Sequence, residues 1–445
     1  MAELEPLYDA AEMKAAEAGH DVDELMGLAG RAVAGEVLRA FPDARSILAV
    51  CGGGANGGDG RIAVEALRGA GRDASEGVDV GGADVILDAL FGTGFRGEPR
   101  REAADLIGRI NGAAAPVLSV DLPSGVDAST GEVAGEAVRA DITVTFHGPK
   151  VGLAVAPGRF HAGTVTVADI GLERRDTAVR LVTRALLRRV PRRAAYDTKY
   201  TAGSLLVVGG SRGLTGAACL AAEAAFRADA GYVAVAAPEE SLPVIETRLL
   251  EAVKRPLSAV FEAAERASAV ALGPGLGRSD EARELVDRVL RELERPVVVD
   301  ADALHGLKPI GRSAPTVLTP HAGELARLLG EASEWVDAHR LEAAQRGAER
   351  FRAVCVLKGA DSIIAAPDRP PLVCALGSPA LATAGTGDVL TGVCGAFLAK
   401  GLEAREAAAA AVAAQQVAST LVPNQTGMVA SDVIAALPRA LDASL

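Results

Sequence analysis

"SILAVCGGGANGGDGRIAVEALRGAG", residues 46–71, decides the fold class. A short Val/Ile/Leu run reads as a buried strand, and the apolar positions after the glycines recur at helical spacing. The segment is therefore a strand, a glycine loop and a helix. Gly52, Gly54 and Gly57 satisfy G-x-G-x-x-G, but no Lys-Ser or Lys-Thr closes the loop as it does in a nucleoside-triphosphate cradle. An aspartate, Asp59, stands there instead.

Outward from this unit the same alternation continues. "ADVILDAL", "APVLSVDL", "ADITVTF" and "GTVTVADI" follow as strands in the first part; "SLLVVGG", "YVAVAAP", "SAVALGP", "PVVVDA", "PTVLTP" and "AVCVLKG" follow in the second. "DEARELVDRVLREL" and "WVDAHRLEAAQRGAERF" read as helices between them. Strands alternating with helices predict layered α/β domains with mostly parallel sheets. The arginine-rich stretch from Leu172 to Gly203, with Pro191 in it, reads as a solvated connecting helix. The boundary is expected near 190, giving domains 1–189 and 190–445.

A chain of 445 residues with 49% hydrophobic and 23% charged residues is long enough and apolar enough for two such cores. Net charge is −12 and no basic, aromatic-studded face is visible, which argues against nucleic acid. Cys51, Cys219, Cys355, Cys374 and Cys394 are scattered and form no C-x-x-C pair, as expected of reduced thiols in the cytoplasm. The acidic N-terminus lacks a signal-peptide pattern, and the Ala-rich "GLEAREAAAAAVAAQQVAST" carries charges that suit an internal helix rather than a membrane span. A soluble homo-oligomer acting on a small metabolite, without a membrane or nucleic-acid partner, is the expectation.

Three loops of the first half place an acid or polar turn after an apolar strand: the glycine loop, "DALFGTGFRGE" and "SVDLPSGVDA". In parallel sheets such loops face one crevice. Backbone N–H groups of the glycine loops suit a diphosphate. Asp88, the Asn56 side chain and Ser124 offer oxygens suited to a hard cation. Asp121 is the candidate general acid/base. Each acid alone also reads as ordinary turn chemistry.

With "FHGPKVGL" and "EMKAAEAGHDVDELMGLAGRAVA", these motifs resemble the NAD(P)H-hydrate epimerase domain over about residues 5–175. The resemblance implies a Rossmann-like three-layer domain in which Asn56, Asp88 and Ser124 bind potassium. It also implies that Ala55, Asn56, Gly57, Gly58 and Asp59, the loop Gly92, Thr93, Gly94, Phe95, Arg96, Gly97 and Glu98, and Asp121 bind the hydrated dinucleotide. Ala55 stands where that family has the first Asn of Asn-Asn-Gly-Gly-Asp, which removes one side-chain amide.

In the second half "GSPALATAGTGDVLTG" places glycines at a helix N-terminus, exposing N–H groups to an anion, with Asp388 directly after them. An acid there can take a proton from a hydroxyl attacking a phosphoryl group while the N–H groups stabilise the transferred oxygens. A plain helix cap is the competing reading of Asp388. With "GGSRGLTGAACLAA", "GPGLG", "VVDADAL", "LTPHAGELARLL" and "VLKGADSII", the stretch resembles the ribokinase-like superfamily. More closely, it resembles the ADP-dependent NAD(P)H-hydrate dehydratase over about residues 195–440. That resemblance implies a three-layer domain in which Ala217, Gly275 and His321 contact the hydrated dinucleotide. Lys358, Gly359, Ala360, Asp361, Ser362 and Gly387 would contact the adenine nucleotide, and Asp388 would act on substrate. His321 alone reads as an ordinary polar residue. Ser378 stands where the family often has Asn, Ala384 and Gly385 where it has a glycine pair, and Thr198 where a His precedes Lys199.

Together the resemblances imply repair of hydrated NADH and NADPH: R and S hydrates are interconverted, and the S form is dehydrated at the expense of ADP, with Mg2+ and K+. The alternatives are a ribokinase-like vitamin or sugar kinase with an accessory dinucleotide domain, and a non-catalytic dinucleotide sensor.

Overall fold

Strand Ser46–Cys51 and helix Ala55–Gly69 flank the glycine loop in the computed structural model, which describes residues 2–309 and 311–442. The chain divides into two units. The smaller holds Pro6–Arg180 with Asp337–His339; the larger holds the residues before Pro6, Leu181–Val336 and the chain from Arg340 onward.

The smaller unit is built on a six-stranded parallel sheet in the order Asp73–Glu76, Ser46–Cys51, Val85–Ala89, Val117–Val120, Ile142–Phe146, Thr164–Ala168. Side chains of a strand alternate faces. Ile47 and Ala49 accordingly pack with Val33, Val37, Ala63 and Leu67 in one core, while Val50 joins Ile86, Ile107 and Ile110 in another. From Ser46–Cys51 the chain adds one strand outward and the next on the opposite side. That reversal opens a crevice between the loops after Ser46–Cys51 and Val85–Ala89, where α/β sheets collect ligands.

In the larger unit the sheet runs Leu4–Pro6, Arg180–Val182, Arg369–Cys374, Ser362–Ala366, Val354–Leu357, Thr316–Leu318, Val297–Val299, Ala269–Leu272, Ser204–Val208, Tyr232–Ala237, Val253–Pro256. Pairing is parallel from Val354–Leu357 to Val253–Pro256, and antiparallel where Ser362–Ala366 meets both its neighbours. The helices Thr215–Arg227 and Ala404–Thr420 bury alanine-rich faces in its main core, and Thr386–Ala399 buries Val389, Val393 and Phe397 there.

Residues 172–203 do not form the expected connecting helix. They contain strand Arg180–Val182 and a 3-10 turn, Arg184–Arg189, capped by the Thr183 hydroxyl on the Ala185 N–H. Val182, Leu186, Leu187 and Val190 are buried in the larger unit's core. Their spacing would suit one helical face, but strand Arg180–Val182 takes Val182 into the sheet and only a 3-10 turn follows. The arginines are surface residues in part, but Arg189 pairs with Glu3 at 2.6 Å and Glu406 at 3.2 Å. The expected helix over 335–351 is two helices, Ser333–Ala338 and Arg340–Phe351. Among the described residues no helix is long and apolar enough to cross a membrane.

Candidate active sites

The glycines of the first loop serve close packing before they serve a ligand. A Cβ on Gly52 would lie 2.1 Å from the Leu90 carbonyl oxygen, and one on Gly57 would lie 2.0 Å from that of Gly52. This packing starts the helix at Ala55, with Gly54 as its N-cap and no acidic residue in its first turn. Asn56 is buried, and both polar atoms of its amide lack a hydrogen-bond partner. Asp88 is wholly buried: Oδ1 accepts from Ser124 Oγ at 2.5 Å, and Oδ2 accepts from Ser119 Oγ at 2.8 Å and Ser124 N at 2.9 Å. Burial pushes its pKa up, against these hydrogen bonds. An orphaned amide, a carboxylate and a hydroxyl make a hard-oxygen donor set, which fits an alkali cation better than a soft metal.

Asp121 sits just past Val117–Val120 at φ 66°, a left-handed conformation uncommon outside glycine. Its carboxylate is held on both sides. Oδ2 accepts from Thr93 N at 3.0 Å and from the Thr93 hydroxyl; Oδ1 accepts from Thr145 Oγ1 at 3.2 Å and faces Lys150 Nζ at 2.9 Å. Burial alone would raise the Asp121 pKa, but the Lys150 ammonium and the Thr93 donors outweigh it and hold the group below its ordinary value. Lys150 is wholly buried and also donates to Thr145 Oγ1 and the Phe146 carbonyl, each at 2.8 Å. Sequence reading missed this lysine. The signal was its place in "FHGPKVGL", but a lone lysine reads as a solvated side chain until the fold buries it.

A cleft of about 610 Å³ brings together Ala55, Asn56, Asp59, Gly92, Thr93, Gly94, Phe95, Arg96 and Asp121. Glu17 and Lys150, which the motifs did not single out, also line it. Gly57, Gly58, Gly97 and Glu98 lie outside the lining. Glu17 has its pKa raised by burial and by Asp121. Asp59 is pushed up to about 8, by burial first and then by Asp121 and Glu17.

The larger unit's site is built around helix Thr386–Ala399. Gly385 is its N-cap at φ 88°, so Asp388 lies in the first turn and is not the cap. Gln415 Nε2 donates to the Thr386 carbonyl at 2.5 Å and fixes that turn. Burial, then Asp300, push the Asp388 pKa up to about 7, with Lys358 opposing. Buried Asp300 accepts from Thr391 Oγ1 at 2.6 Å and from Lys358 Nζ at 2.9 Å. Lys358 Nζ is also 3.9 Å from Glu324 Oε2, and lies 3.4 Å from where a Cβ on Gly387 would be. The lysine ammonium therefore stands at the N-terminus of the glycine-started helix, beside Asp388. Asp300 was not picked out as a site residue, although "VVDADAL" places it directly after strand Val297–Val299.

The remaining positions are arranged unequally. Gly275, at φ +59°, abuts Ala217: a Cβ on it would be 3.2 Å from the Ala217 Cβ. In the 358–362 loop Asp361 is buried and paired with Arg340 at 3.0 Å, and Ser362 Oγ donates to the Gly359 carbonyl at 3.1 Å, while Gly359 and Ala360 are exposed. Asp361 thus shapes the loop rather than presenting a free carboxylate. His321 caps helix Ala322–Leu329: its Nδ1 accepts from Gly323 N at 3.1 Å, and Glu324 Oε2 accepts from His321 N at 2.9 Å.

Fold and sites together define an enzyme with a ribokinase-like, nucleotide-using unit and a separate Rossmann-like unit. The family described as NAD(P)H-hydrate dehydratase matches residues 205–439, and that described as YjeF-related protein N-terminus matches residues 71–152. The bifunctional NAD(P)H-hydrate repair enzyme Nnr of Salinibacter ruber is 41% identical over 80% of this chain and 71% of its own length. That of Coxiella burnetii is 35% identical over 94% of this chain and 93% of its own. A crystal structure of the ADP/ATP-dependent NAD(P)H-hydrate dehydratase from Bacillus subtilis, co-crystallized with ATP/Mg2+, superposes with a TM-score of 0.55 at 31% identity. It covers 59% of this chain and 98% of that one. The chain belongs to the family of bifunctional NAD(P)H-hydrate repair enzymes. A vitamin or sugar kinase is not favoured, because relatives named as repair enzymes match almost the whole chain.

Proposed function

We propose that this chain repairs hydrated NADH and NADPH, with the domain 1–189 interconverting the R and S hydrates and the domain 190–445 dehydrating the S form with ADP. The observation that carries the reading is the meeting of Asp388 and the Lys358 ammonium at the helix N-terminus started by Gly385. Asp388 takes the proton from the C6 hydroxyl as its oxygen attacks the terminal phosphoryl group of ADP. The N–H groups at Gly387 and the Lys358 ammonium offset the charge on the transferred oxygens. The phosphorylated oxygen then leaves C6 as the ring nitrogen donates its lone pair, and loss of a ring proton restores the reduced nicotinamide. The products are NAD(P)H, AMP and phosphate. Magnesium, which takes phosphate and carboxylate oxygens, would be carried in with the ADP and would neutralise its phosphates.

In the smaller unit Asp121, kept ionised by Lys150, moves a proton as the C6 centre opens and recloses. Asn56, Asp88 and Ser124 would hold potassium, whose positive charge would suit the dinucleotide's phosphates. Ala55, Asn56, Gly57, Gly58, Asp59, the 92–98 loop and Asp121 would hold the hydrate there. In the larger unit Ala217, Gly275 and His321 would do so, with Lys358, Gly359, Ala360, Asp361, Ser362 and Gly387 at the adenine nucleotide. A cytoplasmic homo-oligomer is the expected form.

The test supplies mixed R and S hydrates with ADP, Mg2+ and K+ and follows recovery of the reduced-nicotinamide absorbance. Full recovery is expected. No recovery from well-folded protein overturns the dehydratase reading, and recovery that stalls once the S form is gone overturns the epimerase reading.

A further inference from the structure

Asp59 and Asp121 are the two buried carboxyls of the epimerase cleft, and they are held differently. The Asp121 carboxylate is satisfied by Thr93, Thr145 and Lys150. No described residue donates a hydrogen bond to the Asp59 side chain, though the residue is 8% exposed and lines the same cleft. It sits in the second turn of helix Ala55–Gly69, on the crevice side of the strand reversal. The two acids arrive from different strand ends, with the loop after Val85–Ala89 between them. A carboxyl so enclosed without donors is favoured in its neutral form. The charged groups facing it are Asp121, Glu17 and Lys150. Helix Val22–Ala40 meets its backbone carbonyl through Gly30, which carries no charge.

We propose that Asp59 is a second catalytic residue of the epimerase, a neutral acid working against the ionised Asp121 across the cleft. This rests on the epimerase reading above. Hydroxide is a poor leaving group, so the C6–O bond needs an acid. Asp59 gives its proton to the C6 oxygen as that bond breaks. The bonding pair leaves with the oxygen as water, and the ring-nitrogen lone pair forms the N1=C6 double bond. Water then adds to the other face of C6, the N1=C6 pair returns to nitrogen, and Asp121 accepts the proton that the adding water loses. Asp59 is left as carboxylate and Asp121 as acid. This state is ready for the reverse epimerisation, or it returns to the start when the proton passes back through cleft water. Protons, charge and water balance over the cycle, and no oxidant or reductant is needed. The high Asp59 pKa, about 8, agrees with the role.

The experiment measures steady-state consumption of purified R hydrate by the full chain with ADP, Mg2+ and K+, and compares wild type, Asp59→Asn, Asp59→Glu and Glu17→Gln. General acid catalysis contributes about 100-fold or more. Asp59→Asn should therefore lower kcat for R hydrate by about that factor with KM little changed, while S hydrate is still dehydrated. Asp59→Glu, which keeps an acid, should recover part of the loss, and thermal unfolding of the smaller unit checks that Asn at 59 has not simply unfolded it. An Asp59→Asn enzyme that keeps its kcat, one that loses only KM, or a loss found in Glu17→Gln instead would each overturn the proposal. If the wild type itself does not speed R-hydrate consumption over the spontaneous rate, the epimerase reading fails instead.

Discussion

Lys150 Nζ lies 2.9 Å from Asp121 Oδ1, with Lys150 wholly buried and Asp121 exposed by 9% of its side chain. Removing one partner of a buried ion pair leaves the other uncompensated, at a cost of about 3–5 kcal/mol. Lys150→Met should lower the melting temperature of the smaller unit and raise the Asp121 pKa by removing the ammonium that holds it down. R-hydrate turnover should then collapse while S-hydrate dehydration continues, as differential scanning calorimetry and single-epimer assays would report.

Asp121→Ala separates the two activities more cleanly. S hydrate should be consumed at the wild-type rate and R hydrate only as fast as it epimerises unaided. Equal loss of both epimers in this variant would contradict the assignment of Asp121.

The dehydratase should depend on pH through Asp388. Its pKa is raised to about 7, so the carboxylate that accepts the hydroxyl proton is present above that value and lost as pH falls through it. kcat for S hydrate should therefore decline on the acid side of about pH 7. Lys358 opposes the rise, so Lys358→Met should move that limb to higher pH as well as lowering kcat, and a pH–rate profile distinguishes the two effects.

Asp59 links the same electrostatics to stability. Its folded pKa lies above the ordinary carboxyl value, so the native state holds this proton where the unfolded chain does not. The stability it contributes is complete below the ordinary carboxyl pKa and is lost as pH rises to about 8. Asp59→Asn removes the titration, and the smaller unit of that variant should lose less stability than wild type between pH 5 and pH 8 in urea titrations, roughly the window in which a carboxyl of this kind exchanges its proton.

Ala55 is exposed at the first helical position, where a side-chain amide can be added without crowding. Ala55→Asn should tighten the hydrate by one hydrogen bond, about 1 kcal/mol, lowering KM for R hydrate by roughly fivefold at unchanged kcat.

Much of this protein follows from local pattern. Ser46–Cys51 has the length and apolar content of a buried parallel strand, and the GTGD run stands before an apolar helical pattern, so both α/β units and both glycine loops are visible in the chain. Edge strands such as Asp73–Glu76 and Val253–Pro256 are not, because short polar segments become strands only when a neighbour supplies the ladder. Nor could spacing reveal that Leu186 and Leu187 would be drawn into the larger core. The sequence by itself determined which loops carry the acids. Only the tertiary structure decided their chemistry. Asp121 is ionised because a lysine 29 positions on is buried against it, and Asp300 matters because Lys358 and Thr391 close on it. Burial first, and then Asp121 and Glu17, favour the neutral form of Asp59. Charge state depends on burial and on neighbours through space, and neither is written in the order of residues along the chain.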